Sequence, residues 1–484
     1  MINFKVVGYI LGVLLIIEGI FIFFSASVSL VYGEGDFSYI LLSSLVTLLS
    51  GLLLFFIFRK SDKSLGKREG YIIVSLVWIV FSFFGAIPFY ISGSIPSYTD
   101  AFFETMSGFT TTGSSILQPG DYIELSYGLF FWRSLTQWLG GMGIIVLSLS
   151  ILPILGIGGM QLFVAEVPGP TKDKIHPRVK ETAKRLWGIY FIFTVTEMVL
   201  LRIGGMSIFD AICHSFTTMA TGGYSTKPES IAYFNSPYIQ YVIILFMFFA
   251  GTNFTLSYFA MRFKFRHVFK NEEFRFYIFF IMLFAVLLTL ILRFTNYHSF
   301  ENSFRDSLFQ VVSILTTTGY ATTDYLKWVP ISIVIIFLLM FFGGSAGSTG
   351  GSIKIVRVVL LLKNSFLELK RLIHPSAVIP VRFNSQAVSS ETITNVLAFA
   401  SFYILTVMIS IVVISSMGYD LESSLGAVAA TLGNIGPGIG AVGPAENYAH
   451  FPAFGKWFLS FLMLIGRLEL FTVLIIFTPS FWRK

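Results

Sequence analysis

Four times along the chain an apolar segment gives way to a short Gly/Thr-rich hairpin, and a second apolar segment follows. The hairpins read Thr110-Thr111-Thr112-Gly113-Ser114, Ala220-Thr221-Gly222-Gly223-Tyr224, Thr316-Thr317-Thr318-Gly319-Tyr320 and Gly433-Asn434-Ile435-Gly436-Pro437. Gly113, Gly223, Gly319 and Gly436 recur about every hundred residues, and such a period constrains architecture more than any single motif. Polar, non-helical backbone at membrane depth is tolerated only where it lines a water-filled path or lies buried in protein. One Thr-Thr-Thr-Gly alone reads as an ordinary turn. Four in register, each between a short half-helix and a long apolar helix, predict one ring around one pore.

Composition supports the membrane assignment. Hydrophobic residues make up 55% of the chain, charged residues only 12%, and Phe occurs 54 times, too little charged surface for a soluble domain of this size. An apolar run of about 20 residues spans the hydrocarbon as a helix. Ten long candidates lie near residues 5–31, 38–58, 71–92, 128–155, 186–203, 238–261, 276–295, 331–360, 392–417 and 455–478. The first is long and no small-residue cleavage site stands out after it, so it reads as a span rather than a cleaved signal. Cys213 is the one cysteine, which rules out an intrachain disulfide and argues against a Cys-based metal site.

Basic residues fix an expected orientation. With the N terminus inside and each hairpin re-entering from outside, the inside loops are Arg59 to Arg68, Lys172 to Arg185, Arg262 to Arg275 and Lys354 to Arg382. Each of these carries five or six Lys/Arg, and the tail adds Arg483 and Lys484. The outside segments hold few basic residues (Lys227, Lys327 and Lys456) and carry acids instead: Glu34, Asp36, Asp100, Glu104, Asp121 and Glu124. This is a positive-inside pattern that places both termini in the cytoplasm. The net charge of +7 follows from topology and implies a lipid bilayer, not nucleic acid.

The expected fold is an all-α polytopic membrane protein of four tandem helix–pore-loop–helix repeats around one pseudo-fourfold pore. A helix pair over residues 1–69 precedes them. The repeats cover 70–165, 166–270, 271–385 (with a polar loop) and 386–484. The half-helices, Asp100–Phe109, Ile208–Met219, Phe304–Leu315 and Leu421–Leu432, are too short to span. Asp100, Asp210 and Glu422 stand where an acid caps or complements an N terminus. Four C-terminal ends aimed at the pore centre favour a cation there.

The hairpin chemistry suits a dehydrated monovalent cation. Backbone carbonyls replace its hydration shell, and turning successive carbonyls one way demands angles that β-carbon sterics disfavour. Gly113, Gly223, Gly319 and Gly436 are the expected equivalents, with the carbonyls of the one or two preceding residues facing the ion. Thr side chains would bond locally and stiffen the loops. Each repeat supplies one key glycine, against two in the K⁺-channel filter Thr-Val-Gly-Tyr-Gly, so discrimination among K⁺, Rb⁺ and Na⁺ is expected to be weaker.

Two further features stand out. The helix after the third hairpin contains Gly343, Gly344, Ser345, Ala346, Gly347, Ser348, Thr349, Gly350, Gly351 and Ser352. Five glycines in nine residues do not hold a helix, since each costs about 1 kcal/mol relative to Ala. Such a segment is expected to line the cavity below the filter and to act as a movable plug, in preference to a small-residue packing stripe. Lys354 and Arg357 mark the approach to the inside face. Arg467, in Gly466-Arg467-Leu468-Glu469, lies within the last apolar helix. An ionisable residue at that depth usually faces a pore or a partner. Helical i,i+2 spacing sets Arg467 and Glu469 on different faces, which favours a pore-facing arginine over an ion pair between them. Arg133 and Arg202 read as interfacial anchors.

At this point the residues resemble a family. Gln137-Trp138-Leu139-Gly140-Gly141-Met142-Gly143-Ile144-Ile145-Val146 is similar to the second helix of the first repeat in the TrkH/TrkG branch of bacterial potassium-uptake proteins. Leu152-Pro153-Ile154-Leu155-Gly156-Ile157-Gly158-Gly159-Met160-Gln161-Leu162, Ala165-Glu166-Val167-Pro168-Gly169-Pro170, Gly344 to Gly351 and Gly466 to Thr472 match as well. The resemblance covers essentially the whole chain, including the N-terminal helix pair that the related KtrB and HKT branches lack. It implies potassium uptake across the bacterial inner membrane, with K⁺ as substrate at filter residues Thr111, Thr112, Gly113; Ala220, Thr221, Gly222, Gly223; Thr317, Thr318, Gly319; and Asn434, Ile435, Gly436. It implies an intramembrane gate at Gly343–Ser352 with Arg467, and a homodimer in which each protomer has its own pore. It also implies a cytosolic TrkA-type regulatory ring that binds ATP/ADP or NAD(H). No cofactor is expected on this chain, which has no Gly-x-Gly-x-x-Gly opening a βαβ unit and no Walker sequence. Gly433 departs from relatives that carry a polar Asn there.

Two other classes compete. A symporter coupled to H⁺ or Na⁺ needs an intramembrane acid or His. Apart from Glu469, acids in the helices are few: Glu18 and Glu197 lie in the peripheral helix and the early second repeat, and His214, within a half-helix, reads as a packing or hydrogen-bonding residue. An enzyme is not expected: there are no paired Asp clusters, no His-x-x-His or His-Glu-x-x-His, and no nucleophile with a plausible base.

Overall fold

The computed structural model describes residues 2–61, 65–141, 143, 179–295, 299–375, 377 and 379–483. Residues 144–178, which carry part of the family resemblance, half of one basic loop and the far end of the apolar stretch 128–155, lie outside them. The described chain is mostly helical. Its strand pairing is limited to a two-residue antiparallel ladder, Arg382–Phe383 against Gln386–Ala387, and an isolated bridge between Phe342 and Ile353.

Helices Phe4–Tyr32 and Phe37–Phe58 pair closely at the N terminus. Their seam is made by glycines. A β-carbon on Gly12 would stand 2.9 Å from the Gly51 carbonyl oxygen, and one on Gly51 would stand 2.9 Å from that of Gly12. Small residues let the backbones approach this closely where lipid supplies no hydrophobic drive.

Six described helices are long and apolar enough to cross a membrane, and two bent pairs bring the number to eight. The pair Pro237–Ala250 and Phe254–Met261 bends by 111°. The pair Ala453–Leu468 and Leu470–Phe477 bends by 115°. The expected span 331–360 is broken: a helix over Pro330–Leu339 ends well before the next one, Ile355–Ile373, begins. Second helices therefore break after the second, third and fourth hairpins.

Four short helices carry the hairpins: Tyr98–Phe109, Ile208–Met219, Phe300–Leu315 and Leu421–Leu432. The first and third start earlier than the expected Asp100 and Phe304. Serine sets the boundary: Ser97, Ser207 and Ser299 accept from the backbone N–H groups of Asp100, Asp210 and Asn302. Asp100 and Asp210 sit three residues inside, in capping-box positions near the positive helix end, rather than at the cap. The fourth helix starts after Asp420, with Glu422 in its first turn.

Candidate functional site

All four short helices end in the same turn. Thr111 N–H donates to Gly108 O at 2.9 Å and Thr112 N–H to Ser107 O at 2.8 Å. The same two bonds recur as Thr221 to Thr218 and Gly222 to Thr217, Thr317 to Ile314 and Thr318 to Ser313, and Asn434 to Thr431 and Ile435 to Ala430. This is the Schellman closure, which satisfies helix-end carbonyls through a left-handed residue just past the cap. Here that residue is not glycine. Thr111, Thr221, Thr317 and Asn434 have φ of 54°, 54°, 60° and 53°. A threonine in this region costs roughly 1–2 kcal/mol, so the surrounding contacts impose the turn. Two residues on, Gly113, Gly223, Gly319 and Gly436 have φ of 84°, 76°, 81° and 97°. The conformational demand falls on two positions per hairpin rather than on the glycine alone.

The hairpins close into a cycle. A β-carbon on Gly113 would collide with the carbonyl oxygen of Gly222, one on Gly223 with that of Thr318, and one on Gly319 with that of Ile435. One on Gly436 would stand 2.9 Å from the carbonyl oxygen of Thr112. Each hairpin therefore packs its glycine against the preceding-residue carbonyl of the next, from first to fourth and back. A cavity of about 100 Å³ is lined by all four glycines, together with Tyr224, Arg133 and Tyr448.

Local hydroxyl bonds brace two hairpins. Thr110 Oγ1 lies 2.8 Å from Thr112 Oγ1, and Thr316 Oγ1 lies 2.8 Å from Thr318 Oγ1. Asn434 Nδ2 donates to Thr112 Oγ1 at 2.8 Å and to Met463 O at 2.9 Å, joining the fourth hairpin to the first. Two carbonyls already have protein donors: Gly222 O accepts from Gln137 Nε2 at 2.7 Å, and Gly436 O from Tyr448 Oη at 2.9 Å. Gln137, a lone amide on an apolar helix, also accepts from Tyr224 N–H.

The polar loop Gly343–Ser352 meets the ring at the residues before these glycines. Gly351 N–H donates to Thr317 Oγ1 at 2.7 Å, and a β-carbon on Gly350 would stand 2.9 Å from Thr316 O. The loop also docks on the first bent pair. Ser345 N–H donates to Gly251 O at 2.9 Å, Thr349 Oγ1 to Ala250 O and Met219 O at 3.2 Å, and Phe254 N–H to Gly347 O at 3.1 Å. Ala346 N–H donates to the Glu273 carboxylate at 2.6 Å, and Ser352 Oγ to Met340 O at 2.9 Å. Gly344 closes the loop base by accepting from Ile355 N–H.

Arg467 links the two regions. Its guanidinium donates to Thr349 O in the loop at 2.6 Å and to Thr111 Oγ1 in the first hairpin at 3.1 Å. It also donates to the carbonyls of Gly140 and Gly141. Glu469 turns elsewhere: it sits at the bend with φ 59° and ψ 142° and pairs with Arg357, whose guanidinium lies 4.0 Å from the centre of the Phe399 ring. Arg357 is thus a buried ion-pair partner.

Arg133 also departs from expectation. It is buried, with Nε 2.7 Å from the Glu104 carboxylate, so it is no interfacial anchor and Glu104 is no exposed outside acid. Arg202 stays exposed and donates to Met206 O at 3.2 Å. His214 bonds Asp210 O at 2.8 Å and Ser225 Oγ at 3.0 Å, a structural role. Each of the two residues Arg133 and Glu104 is a charge inside an otherwise apolar segment, a signal that each needs a partner but not that the partner is the other.

Known proteins share this fold over the full length of the chain. The crystal structure of the potassium transporter TrkH from Vibrio parahaemolyticus matches with a TM-score of 0.90 at 38% identity, over 100% of both chains. The Trk system potassium uptake protein TrkH of Escherichia coli K12 is 42% identical over 486 residues, 100% of each. TrkG of the same strain is 37% identical over 433 residues, 88% of each. The TrkH family model, described as a cation transport protein, matches residues 38–484. The chain belongs to the TrkH family of cation transport proteins.

Proposed function

We propose that this chain is the channel-like potassium-translocating subunit of a Trk system in the bacterial inner membrane, working as a homodimer with both termini cytoplasmic. Four tandem repeats supply the filter: Thr111 to Gly113, Ala220 to Gly223, Thr317 to Gly319 and Asn434 to Gly436. The observation that carries this reading is the closed cycle of glycine-to-carbonyl contacts around one cavity. Backbone carbonyls held by over-determined turns replace water around a dehydrated cation. The loop Gly343–Ser352 is the gate. It is held under the ring by Arg467, whose charge raises the barrier for a cation while its hydrogen bonds keep the loop in place. A cytosolic nucleotide-binding ring acts on this gate from the side of the basic loops.

A second reading, symport coupled to H⁺ or Na⁺, draws on one observation. Glu18 is fully buried within Phe4–Tyr32, and neither of its carboxylate oxygens has a hydrogen-bond partner among the described residues.

The test is flux of K⁺, Rb⁺, Na⁺ and Li⁺ into liposomes bearing the purified protein, with and without the cytosolic ring and ATP or ADP. K⁺ and Rb⁺ flux above Na⁺ and Li⁺, following voltage, is expected. Equal flux for all four ions removes the filter, and a fixed proton or sodium stoichiometry replaces the channel with the symporter.

A further inference from the structure

We propose that Arg133 is a specificity-determining positioning residue: paired with Glu104, it fixes the separation of the first and second hairpins and so the ion size the ring accepts. This rests on the filter reading above. Arg133 spends its whole guanidinium on the gap between these hairpins. Nε binds Glu104 at 2.7 Å, one terminal nitrogen donates to Ser225 O at 3.0 Å, and the other donates to Ser115 Oγ at 3.1 Å. Its face stacks 3.5 Å from the centre of the Tyr224 ring.

Glu104 closes the bracket. Its carboxylate accepts from the Ser115 hydroxyl at 3.0 Å and from Ile116 N–H at 2.9 Å, and its carbonyl accepts from the Tyr224 hydroxyl at 2.6 Å. Ser115 and Ile116 leave the first hairpin just after Gly113. Tyr224 and Ser225 leave the second just after Gly223. One desolvated ion pair therefore sets how far apart two of the four ring segments stand.

Hairpin to hairpin, the other contacts are neutral. Asn434 bonds Thr112 at 2.8 Å, Ser114 Oγ donates to Gly436 O at 3.2 Å, and the Tyr325 hydroxyl donates to Gly438 O at 2.6 Å. Arg467 and Lys456 reach the first repeat from the last helix, at Thr111 and Asp100, but among the described residues neither bonds a second hairpin. Charge-assisted bonds are roughly twice as strong as neutral ones, so the gap bracketed by Arg133 and Glu104 is stiffer than one joined by neutral groups alone. Arg133 also borders the cavity that the four glycines line, with its charge offset by Glu104. Lysine cannot reproduce this, because a single ammonium lacks the planar fork that serves three acceptors at once.

The experiment compares the full-length parent with Arg133→Lys, the paired variant Glu104→Gln/Arg133→Gln, and Gly223→Ser as a filter control. It reads Na⁺ against K⁺ flux in liposomes and the thermal midpoint. The paired variant leaves no unpaired buried charge, so it keeps the proposal testable if Arg133→Lys fails to fold. Both bracket variants should raise the Na⁺-to-K⁺ flux ratio about fivefold, with K⁺ flux retained within about twofold in the paired variant. A merely structural role would lower flux for all ions together with the midpoint, leaving the ratio at the parent value. That result in a folded variant overturns the proposal if Gly223→Ser shifts the ratio. If Gly223→Ser also leaves the ratio unchanged, the filter reading itself falls and takes the bracket with it.

Discussion

The hairpin ring and the loop Gly343–Ser352 sit against each other and are built on opposite plans. Each hairpin repeats one local device: a Schellman closure, a left-handed Thr or Asn, one intervening residue and a left-handed Gly. The loop repeats nothing. Its contacts go to a bent helix pair at Ala250 and Gly251, to a short-helix end at Met219, to one hairpin at Thr317 and to Arg467. A ring in which the same turn recurs four times, each held by close packing against the next hairpin, holds one geometry. A loop whose shape comes from scattered long-range bonds has a second geometry available once those bonds let go. Selection belongs on the first and gating on the second.

Glycine substitutions in the ring should give the largest effect. Gly→Ser at Gly113, Gly223 or Gly319 places a β-carbon on a neighbouring carbonyl oxygen, and the Na⁺-to-K⁺ flux ratio should rise about tenfold. Gly436→Ser should be the mildest of the four, because its β-carbon would stand 2.9 Å from the nearest oxygen, that of Thr112. Equal ratios across all four variants and the parent would break the ring side of the comparison.

Next in size is Arg467→Ala. It removes both a positive charge beside the path and two donors that tie Thr349 O and Thr111 Oγ1 together. Both losses act in one direction, so K⁺ flux without the cytosolic ring should rise about fivefold. Arg467→Lys sharpens this: charge stays while the fork is lost, and flux about twofold above parent is expected if both terms contribute. Parent-like flux in a well-folded Arg467→Ala protein would remove the arginine from the gate.

The smallest effect should come from Arg202→Gln. That side chain is exposed and, among the described residues, reaches Met206 O alone, so flux and ion ratio should stay within about 1.5-fold of parent. A shift in either would show that the comparison omits a coupled surface.

The parts of the site that were legible in the sequence share one property: their signal is local. Thr-Thr-Thr-Gly and Gly-Asn-Ile-Gly declare a turn within five residues, and the glycine run within 343–352 declares a break in an apolar helix. The same locality misled in two places. An acid drew the start of the first short helix, although the Ser-x-x-Asp spacing from Ser97 already marked the earlier start, and the third was begun at Phe304, past its Ser299 cap. The left-handed Thr111, Thr221 and Thr317 were hidden because threonine disfavours that region and only tertiary contacts impose it. Contacts across long sequence distances were not legible. Glu104 and Arg133 stand 29 residues apart on opposite sides of a hairpin, and Arg357 and Glu469 are separated by 112. Nothing local to Gln137 says that its amide holds the second hairpin at Gly222.

The claim that the ring selects and the loop gates is tested most directly by deleting Ser345 to Thr349 and measuring K⁺ and Na⁺ flux in liposomes without the cytosolic ring. Deletion removes the bonds to Gly251, Ala250, Met219 and Arg467 and touches none of the four ring glycines. K⁺ flux should rise about tenfold while the Na⁺-to-K⁺ ratio stays at the parent value, because the carbonyl cycle is intact. A folded deletion protein that conducts no faster than parent, or one whose ratio moves as far as that of Gly319→Ser, would contradict the separation.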